Sequence, residues 1–159
     1  MLHKKLVLGF LLVAFNSIST FAQNILEVAF FQNTYNVLLE EAQRLKKPMM
    51  LVFSTKNSST SVQMDSATLS NVFVASYISL NYLAKKIDMT EEGDSRLLKK
   101  YDVKQFPTTL FLDSKGRVIG KMEGFYPADF FMKVMTNNLA RSKKMYQAQA
   151  TYDVYLSSL

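Results

Sequence analysis

Apolar residues recur along this chain with two alternating periods. Between Phe30 and Lys47, Tyr35, Leu38, Leu39, Ala42 and Leu45 fall at helical spacing, with Thr34 as the expected N-cap and Pro48 ending the helix. Met49-Met50-Leu51-Val52-Phe53 is a continuous apolar run, as a strand buried on both faces requires. The polar block Ser54 to Ser61 reads as a loop, followed by a helix through Met64, Ala67, Leu69 and Val72 toward Tyr77, with Asn71 as a kink or cap. A strand is expected at Asn81 to Ile87, then a helix opened by Thr90-Glu91-Glu92 and carrying Leu97, Leu98 and Tyr101. Thr108 to Leu112 and Val118 to Glu123 read as a hairpin around Asp113-Ser114-Lys115-Gly116. Pro127 opens a last helix whose expected buried side is Phe130, Phe131, Val134, Met135 and Leu139. This order predicts an α/β domain with a mixed central β-sheet flanked by helices on both faces.

The first 22 residues do not fit that domain. Lys4 and Lys5, the apolar stretch Leu6 to Phe15 and Thr20-Phe21-Ala22 match the three parts of a signal peptide. The apolar stretch is short for a membrane span, so the reading is cleavage near Gln23, with an uncleaved anchor as the alternative. The expected division is a signal peptide at 1–22, a domain at 23–145 and a C-terminal extension at 146–159. The pattern implies a periplasmic or secreted protein of a Gram-negative envelope, with no stable membrane insertion after cleavage.

Composition then removes whole classes of chemistry. The 159 residues include no cysteine, no tryptophan and one histidine, His3, which leaves with the signal peptide. Thiol catalysis, a Ser-His-Asp triad and zinc sites built from Cys or His are excluded, and no cofactor is expected. Loss of Lys4 and Lys5 lowers the formal charge from +6 to +4. The remaining lysines fall in pairs at helix ends, with no aromatic platform beside them, so nucleic acid is not an expected partner. Met49, Met50, Met132 and Met135 sit in strand or helix patterns and read as core. Tyr146, Tyr152 and Tyr155 either face a partner or cover the fold.

Lys47-Pro48, Met64-Asp65, Tyr101-Asp102-Val103, Phe106-Pro107-Thr108, Phe111-Leu112-Asp113 and Gly116 follow one another in an order and spacing that resemble the thioredoxin superfamily, above all its secreted members. The resemblance covers about residues 34 to 140 and implies a thioredoxin-like fold. It places the two redox cysteines at Ser58 and Ser61 and the residues between them at Ser59-Thr60, while Asn57 stands where an aromatic precedes the first cysteine. A hydroxyl cannot replace a thiolate as redox nucleophile. Ser58 and its neighbours also make an ordinary N-cap. By the same resemblance, the bond before Pro107 is expected to be cis and to lie beside the Ser58 loop. Either Pro107 maintains the fold, or Ser58, Ser59, Phe106, Pro107, Thr108 and Gly124 retain a groove for an extended protein or peptide of the cell envelope. The expected function is therefore a non-catalytic binding module. A thioredoxin-family oxidoreductase by descent and a structural subunit of an envelope assembly are the rivals.

Overall fold

The computed structural model describes residues 27–89 and 95–158; the expected signal peptide and the helix start at Thr90-Glu91-Glu92 lie outside the described residues. The elements run α1 (Tyr35–Leu45), β1 (Met49–Ser54), α2 (Ser59–Gln63) passing into a π-helical turn (Met64–Leu69), and α3 (Val72–Asn81). They continue as β2 (Leu83–Asp88), α4 (Ser95–Lys100), β3 (Thr108–Leu112), β4 (Val118–Glu123) and α5 (Ala128–Ser157). The strand order is β2-β1-β3-β4, with β1 parallel to β2 and antiparallel to β3, and β3 antiparallel to β4.

Why β1 carries no polar face follows from this order. As a central strand it is covered twice, and all six of its residues are buried. Met50 and Val52 face a cluster with Val74, Ile78, Phe111, Phe131 and Met135, beneath α3 and α5. Met49, Leu51 and Phe53 face the opposite cluster with Leu38, Ala42, Leu97 and Leu110, beneath α1 and α4. Strand alternation thus divides one apolar run between two half-cores. Each fully buried side chain of this size stabilises the fold by about 1.5–3 kcal/mol.

Three local readings change in the structure. The first helix starts at Tyr35, not Phe30, because Phe30 bridges to Ala84 and Phe31 N–H donates to Ala84 O at 2.7 Å. That segment covers the outer edge of β2, whose main-chain groups would otherwise lack a strand partner. The helix ends at Leu45, with Lys46 in the left-handed conformation at φ 51°, since the residue before Pro48 is disfavoured in a helix. Phe130 is 47% exposed and stacks on Tyr126 instead of entering the core, which takes Phe131, Met135 and Leu139. Asn71 does cap α3, its Oδ1 accepting from Phe73 N–H at 3.0 Å and Val74 N–H at 3.3 Å.

The hairpin turn shows why its residues have these identities. Buried Asp113 accepts the N–H groups of Lys115 and Arg117 through Oδ1, both at 2.9 Å, and pairs with Arg117 Nε through Oδ2 at 2.6 Å. Gly116 has φ 78°, and a Cβ there would meet Tyr35 Oη at 2.8 Å, so only glycine fits. The 30-residue helix α5 passes unbroken through position 146, and Tyr146 returns to this turn by donating its hydroxyl to Ser114 Oγ.

Candidate functional site

The Ser58 loop sits at the C-terminal end of β1, where the chain leaves the sheet and enters α2. Ser58 is the N-cap, with φ −109° and ψ 118°, and its Oγ accepts from Ser61 N–H at 3.3 Å. The Ser58 and Thr60 hydroxyls lie 2.8 Å apart, and each can donate to the carbonyl of Phe106 at 3.3 Å. Ser61 is 1% exposed, and its Oγ accepts from Thr55 N–H at 3.4 Å. The hydroxyls of Ser58, Thr60 and Ser61 are thus engaged by one another, by N–H groups of the same loop and by one carbonyl of the facing loop.

That facing loop leads into β3. The Phe106-Pro107 peptide bond is cis, and Pro107 is buried. Its carbonyl accepts from Gly124 N–H at 2.7 Å, which ties the start of β3 to the end of β4, and Gly124 takes φ 92°. The structure therefore brings Ser58, Phe106 and Pro107 together, with Gly124 one bond beyond and Ser59 exposed on the rim. Thr108 does not join them. It is fully buried, its Oγ1 donates to Gln105 O at 2.7 Å, and its main chain lies between Phe53 and Glu123 in the sheet. Its place inside a three-strand ladder leaves it no face for a ligand. Thr60 is the contributor that sequence reasoning passed over; the two-residue spacing of hydroxyls from Ser58 was the available signal.

No group here has the environment of a nucleophile. Asp65, the carboxylate about one helical turn beyond Ser61, is bonded at 2.6 Å to Lys86 Nζ. Lys86 stands beside Val52 in the β1–β2 register. An aspartate is an intrinsically weak base for a serine hydroxyl, and this one has an oxygen engaged by Lys86. The resolved pKa displacements lie elsewhere: hydrogen bonding to Arg44 lowers Glu41, and burial is the main cause at the displaced tyrosines and lysines. Burial pushes the phenol of Tyr101 up, helped by its hydrogen bond to Tyr35, and pushes the ammonium groups of Lys47 and Lys85 down. Among the described residues, no group of three or more His, Cys, Asp or Glu side chains is placed to hold a metal ion. No described helix is long and apolar enough to cross a membrane.

Beside the loop, Val62 is 52% exposed, and Thr68 in the π-helical turn donates to Tyr126 O at 2.5 Å. Tyr126 stacks on Phe130 with ring centroids 5.4 Å apart.

Residues 35–138 match the family model described as a thioredoxin-like domain. Among solved structures, the chain is similar to a thioredoxin from Thermus thermophilus at 23% identity and a TM-score of 0.63, covering 72% of this chain and 91% of that one. It is also similar to the C-terminal domain of Neisseria meningitidis DsbD in the oxidised form, at 23% identity and 0.58, covering 69% and 99%. A DsbH oxidoreductase matches at 16% identity and 0.63, covering 73% and 88%. No curated protein matches the sequence significantly.

Proposed function

The chain belongs to the thioredoxin-like domain family, and from that premise we propose that it is an exported, redox-inactive module that binds protein or extended peptide. One observation carries the redox half of this reading. Serines occupy both cysteine positions, their hydroxyls are satisfied within the fold, and the adjacent acid is paired with Lys86. Disulfide exchange needs a thiolate, and an activated serine would need a free base. Export is supported by the signal-peptide pattern of residues 1–22.

The binding half rests on the exposed rim around Phe106. An extended peptide adds to a fold through main-chain hydrogen bonds and shallow side-chain pockets. Here the Phe106 carbonyl faces two hydroxyls, and a carbonyl oxygen has two lone pairs. A peptide N–H must displace Ser58 or Thr60, so affinity at this site is modest. Thr60→Val removes one competitor at an exposed position and strengthens peptide binding. Ser59→Tyr obstructs the rim and weakens it without changing Tm.

The test combines an insulin-reduction assay with amide chemical-shift mapping against extended peptides. No turnover, together with shifts centred on Ser58 to Thr60 and Phe106, is the expected result. Turnover by protein free of contaminating oxidoreductases overturns the redox half. Shifts confined to α5 overturn the groove and favour a structural subunit. That second reading is supported by Tyr152, Tyr155 and Leu156, which leave the far end of α5 with exposed apolar surface.

A further inference from the structure

The opposite end of the sheet carries unspent polar and charged groups. From Ser54 back to Met49, β1 spans about 17 Å at the usual rise per residue. Around Met49, the end of α1, the end of α3 and the middle of α5 enclose a crevice of about 410 Å³, walled by Leu45, Pro48, Leu80, Leu139 and Tyr146. A second crevice of about 900 Å³ shares Lys46, Lys143 and Tyr146 with it and runs on between the Ser114-Lys115 turn and the distal part of α5, toward Gln149 and Asp153. The two adjoin at these three residues, and the grooved face they share is remote from the Ser58 loop.

Three independent features mark this groove as a binding surface. Ser142 lines its floor and is 1% exposed, and its Oγ is the one buried side-chain polar atom without a hydrogen-bond partner among the described residues. A helical serine can satisfy itself on the carbonyl four residues back, and an unpaired buried hydroxyl is costly. Lys46, Lys47, Lys115 and Lys143 line the two crevices, and none of them lies in an ion pair among the described residues. Burial lowers the pKa of Lys47, whose Nζ reaches only the Ser79 carbonyl, at 3.3 Å. Leu80 and Leu45 are 77% and 45% exposed, so the walls are apolar but shallow.

We propose that this groove receives a segment of a partner protein in which acidic side chains flank apolar ones. Carboxylates meet the unpaired lysines, leucine-like side chains cover Leu45 and Leu80, and a polar group of the segment satisfies Ser142 Oγ. Charge selects the partner. Among the described residues, Asp153 is the only acid lining either crevice, and the chain's formal charge is +6, or +4 once Lys4 and Lys5 leave with the signal peptide. A second copy docked through the same face would set lysines against lysines, because a two-fold interface pairs a patch with itself. An alkyl chain favours an enclosed apolar tunnel, whereas these walls are open and interspersed with Gln43, Gln149 and Asn81. Such amide side chains suit a polypeptide main chain.

The experiment titrates ¹⁵N-labelled protein with a short amphipathic peptide of glutamate and leucine, and with its lysine–leucine counterpart. The expected result is that the acidic peptide alone shifts Lys47, Leu80, Ser142 and Tyr146 and leaves Ser58 to Ser61 unmoved. Lys46→Glu with Lys143→Glu weakens it about tenfold or more, as lost charge pairs worth one decade in Kd require. Ser142→Ala supplies the readout that a purely structural role would not give: lower peptide affinity together with an unchanged or higher Tm. Equal binding of both peptides, shifts at the Ser58 loop, or no shift at all overturns the proposal. So does tighter saturation of the groove by dodecanoate or by anionic phosphatidylglycerol vesicles, or self-association that blocks it.

Discussion

At the C-terminal end of β1, the Ser58 and Thr60 hydroxyls bond each other and the Phe106 carbonyl, Ser58 Oγ accepts from Ser61 N–H, and Ser61 Oγ accepts from Thr55 N–H. At its N-terminal end, among the described residues, Ser142 Oγ has no hydrogen-bond partner and Lys46, Lys47 and Lys143 lie in no ion pair. Both ends are polar, and the same sheet carries both. They differ in whether the fold has already spent their hydrogen-bonding capacity. A polar group satisfied internally adds modest net stability and little affinity for anything else, whereas an unsatisfied buried one costs stability and gains most from a ligand. The Ser58 loop is thereby the better-satisfied end of this molecule.

The largest expected effect tests whether the two ends share one foundation. Phe111 is fully buried between the rings of Tyr82 and Phe131, with centroids 5.8 and 6.1 Å away. Phe111→Ala should cost about 3–5 kcal/mol in urea denaturation. It should degrade the Ser58 loop and the lysine groove together; loss at one end only would show two separately stable halves. Asp113→Ala should cost about 2 kcal/mol, because two main-chain N–H groups and Arg117 lose a charged acceptor. Its damage should reach Tyr146 and the groove through Ser114 while leaving amide shifts at Ser58 unchanged. Asp65→Asn should change stability by less than about 1 kcal/mol, since the partly exposed pair with Lys86 is a surface ion pair by side-chain exposure of 39% and 31%. A much larger loss would make that pair a structural element of the degenerate site.

Local chemistry carried most of the fold into the sequence. The five-residue apolar run at Met49, the Asn71 cap and the Asp113 turn each depend on neighbours within a few positions, and their readings coincide with the structure. What was not legible depends on distant segments. Phe30 leaves the helical pattern because Ala84, in an edge strand, offers it a bridge. Phe130 follows the apolar pattern but turns outward onto Tyr126. The π-helical turn at Met64–Leu69 adds a residue to the helix that the 3.6-residue period does not announce. At the candidate site, the serine replacements were readable from position alone. The closure of Phe106 O by Thr60 was not, since it depends on a loop 46 residues away. Ser142 follows Phe131, Met135 and Asn138 at helical spacing, so its burial was readable, but its lack of a partner was not.

The most direct measurement compares one substitution at the two ends by equilibrium denaturation. Ser58→Ala should destabilise by about 1 kcal/mol, because it removes an N-cap acceptor and a donor to Phe106. Ser142→Ala should be neutral or stabilise by up to about 1 kcal/mol, because the hydroxyl it removes is buried and unpaired. Opposite signs are expected. Equal destabilisation at both ends would contradict the claim that one end is internally satisfied and the other held open for a partner.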